Sequence, residues 1–104
     1  MSATNPPKIA GLVWYRPEHY HALKELFNDG HRLPETFERW LEKASHSEAV
    51  AHAQGVRTVR AYIDPQEFPQ WCRARGLYVD AKGRNAFANW IAMRAHTDTD
   101  RRPD

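Results

Sequence analysis

Apolar positions recur along this chain with two different periods, and the switches between them divide it into two strands and four helices. Ile9-Ala10-Gly11-Leu12-Val13-Trp14-Tyr15 is a short, almost wholly apolar run with β-formers at its end, closed by Arg16-Pro17. Its length suits a buried strand better than a helix. Val56 to Ile63 is the clearest strand, rich in β-branched residues. Successive strand side chains point to opposite faces, so Arg57, Val59, Ala61 and Ile63 share one face and Val56, Thr58, Arg60 and Tyr62 the other.

The remaining apolar positions fall at helical spacing. Pro17 opens a first helix, because its fixed φ suits the first turn and its missing N–H is not needed there. Tyr20, Leu23, Leu26 and Phe27 form the apolar stripe, and Asn28-Asp29-Gly30 ends the helix. Pro34 opens a second helix, with Glu35 and Glu38 where the helix dipole favours negative charge. Phe37, Trp40, Leu41, Ala44 and Ala51 turn inward; between Ala44 and Ala51 the stripe weakens, so that part is expected to project beyond the core. Gly55 is its stop. Asp64 caps a third helix, with Glu67 as its capping-box partner, running to about Arg75 and burying Phe68, Trp71 and Cys72. Gly76 ends it, and Pro69 implies an irregular start. Asp80 caps a fourth helix to about His96, burying Phe87, Trp90 and Ile91; Gly83 weakens its first turn by about 1 kcal/mol relative to Ala.

These elements repeat. Phe37-Glu38-Arg39-Trp40-Leu41 returns as Phe87-Ala88-Asn89-Trp90-Ile91, each downstream of a proline followed three residues later by an aromatic, Pro17 to Tyr20 and Pro65 to Phe68. The pattern predicts an α+β domain of order β-α-α-β-α-α at residues 8–96. It is internally duplicated, with pseudo-repeats over 9–55 and 56–96 related by a pseudo-twofold axis. The repeated aromatics are expected to be core anchors. Residues 1–7 and 97–104 have no period and read as disordered tails. Two strands do not make a robust sheet alone, and their edges leave backbone groups unpaired. Pairing with a second copy is one way to satisfy them.

Composition narrows the class. Hydrophobic content of 41% and aromatic content of 12% in 104 residues allow one folded domain without metal or disulfide staples. Cys72 is alone, which excludes an intramolecular disulfide and fits a cytoplasmic protein. No run approaches the length of a membrane helix, and Met1 to Pro7 is neither basic nor apolar like a secretory leader. The net charge of +2 conceals an asymmetry. Residues 1–55 carry six Lys/Arg against seven Asp/Glu, whereas residues 56–94 carry seven against three.

Catalytic chemistry finds little support. His19 and His21 point about 200° apart on a helix, and His46 and His52 are six apart, so neither pair offers metal-ligand spacing, and no cofactor is expected. Cys72 neighbours Arg73 and Arg75 but sits beside Trp71 on a core-facing stripe, where a thiol is inert. Glu35, Glu38 and Glu42 follow a solvated helix face, and Asp80-Ala81-Lys82-Gly83-Arg84 lacks P-loop glycine spacing. Two surfaces remain. If the helices cover one sheet face only, Trp14, Arg60 and Tyr62 form an exposed aromatic and basic platform, a composition suited to protein contacts and to stacked bases. Alternatively Arg57, Arg60, Arg73, Arg75, Lys82 and Arg84 form a nucleic-acid surface, with the last two helices resembling a helix-turn-helix. The expectation from sequence is a non-enzymatic protein-binding or regulatory module, partnered by another protein or by itself. A nucleic-acid-binding accessory protein is the alternative.

Overall fold

The two apolar runs pair with each other. In the computed structural model, which describes residues 8–100 with the side chains of 96–100 excepted, β1 (Ile9–Trp14) and β2 (Arg57–Tyr62) form a two-stranded parallel sheet. The register sets Ile9 against Arg57 and Trp14 against Tyr62. Between the strands come a 3-10 turn at Pro17–His19, α1 (Tyr20–Leu26), a second such turn at Gly30–Arg32 and α2 (Phe37–Ala53). After β2 come α3 (Glu67–Ala74) and α4 (Ala81–Asp100). Four helices and a small parallel sheet make this an α+β domain, as the apolar pattern predicts. The tail expected at 1–7 and residues 101–104 of the one expected at 97–104 lie outside the described residues, whereas residues 97–100 of that tail continue α4 to Asp100.

The helices take both faces of the sheet. On the face of Trp14, Thr58 and Arg60, α2 lies close: Arg60 pairs with Glu48 at 2.8 Å, His52 Nε2 bonds Thr58 Oγ1 at 2.7 Å, and Trp40 packs edge-on to Trp14 at 5.2 Å. The opposite face receives α4, and a Cβ built on Gly11 would collide with the backbone carbonyl of Ala88. Only glycine allows that approach. A twofold axis parallel to the strands would exchange the two faces, yet Trp14 and its register partner Tyr62 share one. The halves are therefore not related by the pseudo-twofold axis expected from sequence, although their strands pair at the offset that matches Pro17 with Pro65.

The core gathers beyond the carboxyl ends of the strands. Trp14, Tyr15, Tyr20, Leu23, Phe27, Trp40, Ile63, Phe68 and Cys72 form one buried cluster. A chain of rings crosses it, Trp40 to Tyr15 at 4.7 Å, Tyr15 to Phe27 at 5.8 Å, Phe27 to Phe68 at 5.9 Å and Phe68 to Phe87 at 5.8 Å. Tilted and edge-on pairs at these separations add attraction beyond the area they bury.

Several starts and stops differ from expectation for local reasons. The second helix begins at Phe37 rather than Pro34, because Thr36 is the residue whose hydroxyl accepts from Arg39 N–H, at 3.2 Å. Pro34 stays outside, and its carbonyl accepts the Tyr20 hydroxyl. Pro69 is the third residue of α3, so its missing N–H falls in the first turn and the helix is regular there. Gly55 and Gly76 end α2 and α3 with φ of +79° and +67°, and Leu77 N–H bonds Cys72 O across the second stop at 2.9 Å.

Candidate functional site

The sequence-predicted residues do not assemble as one surface. Trp14 is only 3% exposed, covered by Trp40 of α2 and by the Arg60 guanidinium 4.1 Å above its ring. Arg60 is exposed, but Glu48 holds it bidentately at 2.8 and 2.9 Å. That hydrogen-bonded pairing raises the Arg60 pKa and lowers that of Glu48. Tyr62 is exposed, with the Arg16 guanidinium 4.3 Å from its ring centre. The open platform of Trp14, Arg60 and Tyr62 required one uncovered sheet face, and helices on both faces remove it.

The basic set is divided in the same way. Arg57, Arg73, Arg75 and Lys82 are exposed. Arg84 is buried at 8% exposure and bonds Asp29 bidentately, at 2.8 and 3.0 Å. Burial opposes its charge, yet the bonds to Asp29 and the fields of Tyr15, Asp29 and Asp80 leave its pKa raised. Asp29 is held below the usual carboxylate range by the same bonds. Beside this pair, burial pushes the Tyr15 phenol up to about 12. Arg84 is thus a tie between the start of α4 and the end of α1, reinforced by Asn28 N–H to Val79 O at 2.8 Å. It is not the exposed reading residue that a helix-turn-helix needs at this position.

A different grouping does form a concave surface. α3 and α4 pack so that Trp71 meets Phe87 at 5.2 Å and Trp90 at 5.7 Å. With Tyr62, Asp64, Glu67, Phe68, Ile91 and Arg94 they line a groove of about 390 Å³. Over these rings lie arginines. The Arg75 guanidinium sits 4.2 Å from the Trp71 ring and 5.3 Å from that of Trp90, and Arg94 lies 4.8 Å over Trp90. Arg75 is also anchored to Trp71 O at 3.3 Å. At the rim, Asp64 Oδ1 accepts from the backbone of Gln66 at 2.8 Å and of Glu67 at 3.0 Å, bonds that lower its pKa and fix the start of α3. Tyr62 is the one member of the expected surface that reaches this groove.

The sequence carried a signal for this site that pairing by aromatics alone overlooks. Each of the groove's two tryptophans has an arginine four residues on, Trp71 with Arg75 and Trp90 with Arg94. On a helix those positions are neighbours, so a guanidinium lies over the indole.

Other chemistry is confined by burial. Cys72 is fully buried, and burial raises its thiol pKa, with a further push from Asp80. Among the described residues no group of three His, Cys, Asp or Glu could hold a metal ion, and no helix is long and apolar enough to cross a membrane. The chain matches no protein-family model, no curated protein and no solved structure.

Proposed function

We propose that this protein is a non-enzymatic, cytoplasmic protein-binding module that docks a partner in the groove between α3 and α4. The observation that carries the reading is the doubled tryptophan–arginine stack beside Phe87 and Tyr62. Tryptophan, tyrosine and arginine supply most of the energy of protein interfaces. Guanidinium groups already stacked on rings and anchored to backbone lose less freedom on binding than free ones. Arg75 and Arg94 make no ion pair among the described residues, so the fitting occupant is a partner segment with an apolar anchor and a carboxylate beside it. Of the two acids that line the groove, Asp64 and Glu67, Asp64 is committed to the backbone N–H groups at the start of α3, which favours binding over chemistry.

Panning displayed random peptides against the immobilised protein tests this. Enriched peptides should share an apolar residue next to Asp or Glu, quench tryptophan fluorescence, and bind Trp90→Ala or Arg94→Glu at least ten-fold more weakly. Equal binding by both variants would overturn the reading. Retention of single-stranded DNA that falls steeply between 50 and 200 mM salt, as counterion release requires, would replace it with the nucleic-acid alternative.

A further inference from the structure

The sheet ends at two edges of unlike character. Arg57 N–H bonds Lys8 O at 2.8 Å and Ile63 N–H bonds Trp14 O at 3.1 Å. In a parallel pair alternate residues turn their backbone groups toward the partner strand. These two bonds therefore direct the backbone groups of Lys8, Ala10, Leu12 and Trp14 to β2, and those of Ile9, Gly11 and Val13 outward. The N–H and C=O groups of those three residues have no backbone partner among the described residues.

The β2 edge is guarded. Arg57 and Arg60 project from it, and Glu48 and His52 brace Arg60 and Thr58. Charged side chains of this kind block further pairing. β1 has no charge, no proline and no bulge, and its residues Ile9 to Val13 remain half-exposed although helices cover both faces. Alongside it, a hollow of about 260 Å³ lies against α2, lined by Leu12, Trp14, Trp40, Lys43, Ala44 and Ser47.

We infer that the outer edge of β1 takes an extended segment of a partner protein as a third strand. A second copy of this chain fits poorly. α4 rides directly on β1, at the contact between Gly11 and the Ala88 carbonyl. Pairing two β1 strands antiparallel at the usual spacing of about 4.8 Å would set both α4 helices on one face, closer than the roughly 8 Å that packed helices need, and parallel pairing would set the α4 of each copy on the face where the other carries α2. An extended segment brings no helix of its own.

Its side chains are specified by the two faces. Those turned toward α4 must be small, because that helix already meets β1 at a glycine. Those turned toward α2 face the apolar hollow. Lys43 at the lip of the hollow, and Arg39 one turn earlier, make no ion pair among the described residues. The segment therefore alternates small and apolar residues and carries a carboxylate at its α2-facing side. Main-chain bonds would hold it, and these alternate side chains would select it.

The test uses heptapeptides alternating Gly, Ala or Ser with Leu, Val, Ile or Phe and bearing one Glu, added to the isotope-labelled full chain. In the free protein the amides of Ile9, Gly11 and Val13 should exchange with solvent rapidly at every protein concentration. A binding member of the set should slow them at least ten-fold. N-methylating the peptide amides that face β1 should abolish this, and N-methylating the alternate amides should not. Lys43→Glu should weaken binding about ten-fold, whereas Trp90→Ala, which damages only the α3–α4 groove, should leave it intact. Three results overturn the inference: no peptide slows the three amides, N-methylation of the amides that face β1 is tolerated, or raising protein concentration alone protects them. The last would assign the edge to a second copy.

Discussion

The tie between Arg84 and Asp29 should be the costliest pair in the domain to break. Asp29→Ala removes the carboxylate that holds Arg84 at 2.8 Å and leaves a guanidinium whose side chain is 9% exposed, without its counter-charge. Removing one member of a fully buried pair costs about 3–5 kcal/mol. Asp29 itself is 23% exposed, so the lower end applies, about 3 kcal/mol. At about 4–8 °C per kcal/mol for a domain of this size, the melting temperature should fall by about 12 °C or more. Urea titration followed by far-ultraviolet circular dichroism measures the loss directly. The double variant Asp29→Ala with Arg84→Met should recover most of it, since the charge goes while the guanidinium over Phe27, 4.4 Å from the ring centre, is replaced by an apolar thioether chain. The pair also sets a pH dependence. Because the folded state holds the Asp29 pKa below its ordinary value of 3.8, its contribution is complete above about pH 4 and is lost as pH falls through the lowered value. Asp29→Asn should flatten that acid limb. A single variant losing under about 1 kcal/mol, or a double variant no better than the single, would refute the view that Arg84 depends on this carboxylate.

The remaining predictions follow from particular contacts. Gly11→Ala should cost about 3 kcal/mol by chemical denaturation, at the upper end for overpacking, since the obstructing atom is backbone. Gly55→Ala, with open space around it but a φ of +79°, should cost only about 1 kcal/mol, from strain alone. Asp64→Ala should cost about 1 kcal/mol, read from the urea midpoint, as two backbone N–H groups at the start of α3 lose their acceptor. Cys72 should resist a thiol reagent in the native protein and react at once in guanidinium chloride; rapid native labelling would contradict its complete burial.

Most of the architecture was legible because local signals acted alone. The apolar runs marked both strands to within one or two residues, and Gly55 and Gly76 marked helix ends that do adopt positive φ. Pro34 misplaced a helix start because proline is equally at home in the extended chain before a cap, and the cap here is Thr36. The weakened stripe at Ser45 to Glu48 pointed to a projecting helix, whereas Glu48 and His52 meet β2 through polar pairs that an apolar pattern does not register. Strand direction and the placement of helices on both faces depend on long-range packing, so the exposed platform drawn from Trp14, Arg60 and Tyr62 could not be checked locally. Arg84 looked like any surface cation until its partner, Asp29, came near it from the other half of the chain.

A comparison of the two sets of repeated aromatics explains why Trp40 is core while its counterpart Trp90 lines a groove. Tyr20 and Phe37 stand 5.9 Å apart at 73°, and their counterparts Phe68 and Phe87 stand 5.8 Å apart at 81°. Phe37 and Trp40 meet at 5.5 Å and 36°, Phe87 and Trp90 at 5.9 Å and 38°. The ring geometry is nearly the same in both, so the rings themselves do not decide exposure. What differs is the cover. Trp40 lies under Trp14 and Tyr15 at 5.2 and 4.7 Å and is buried. Trp90 lies under the guanidinium groups of Arg75 and Arg94 and is half-exposed. Two rings exclude water and close the surface; two guanidinium groups stack on the indole while keeping their N–H groups hydrated. A partner that supplies an apolar side chain and a carboxylate can therefore complete around Trp90 the packing that Trp14 and Tyr15 complete around Trp40.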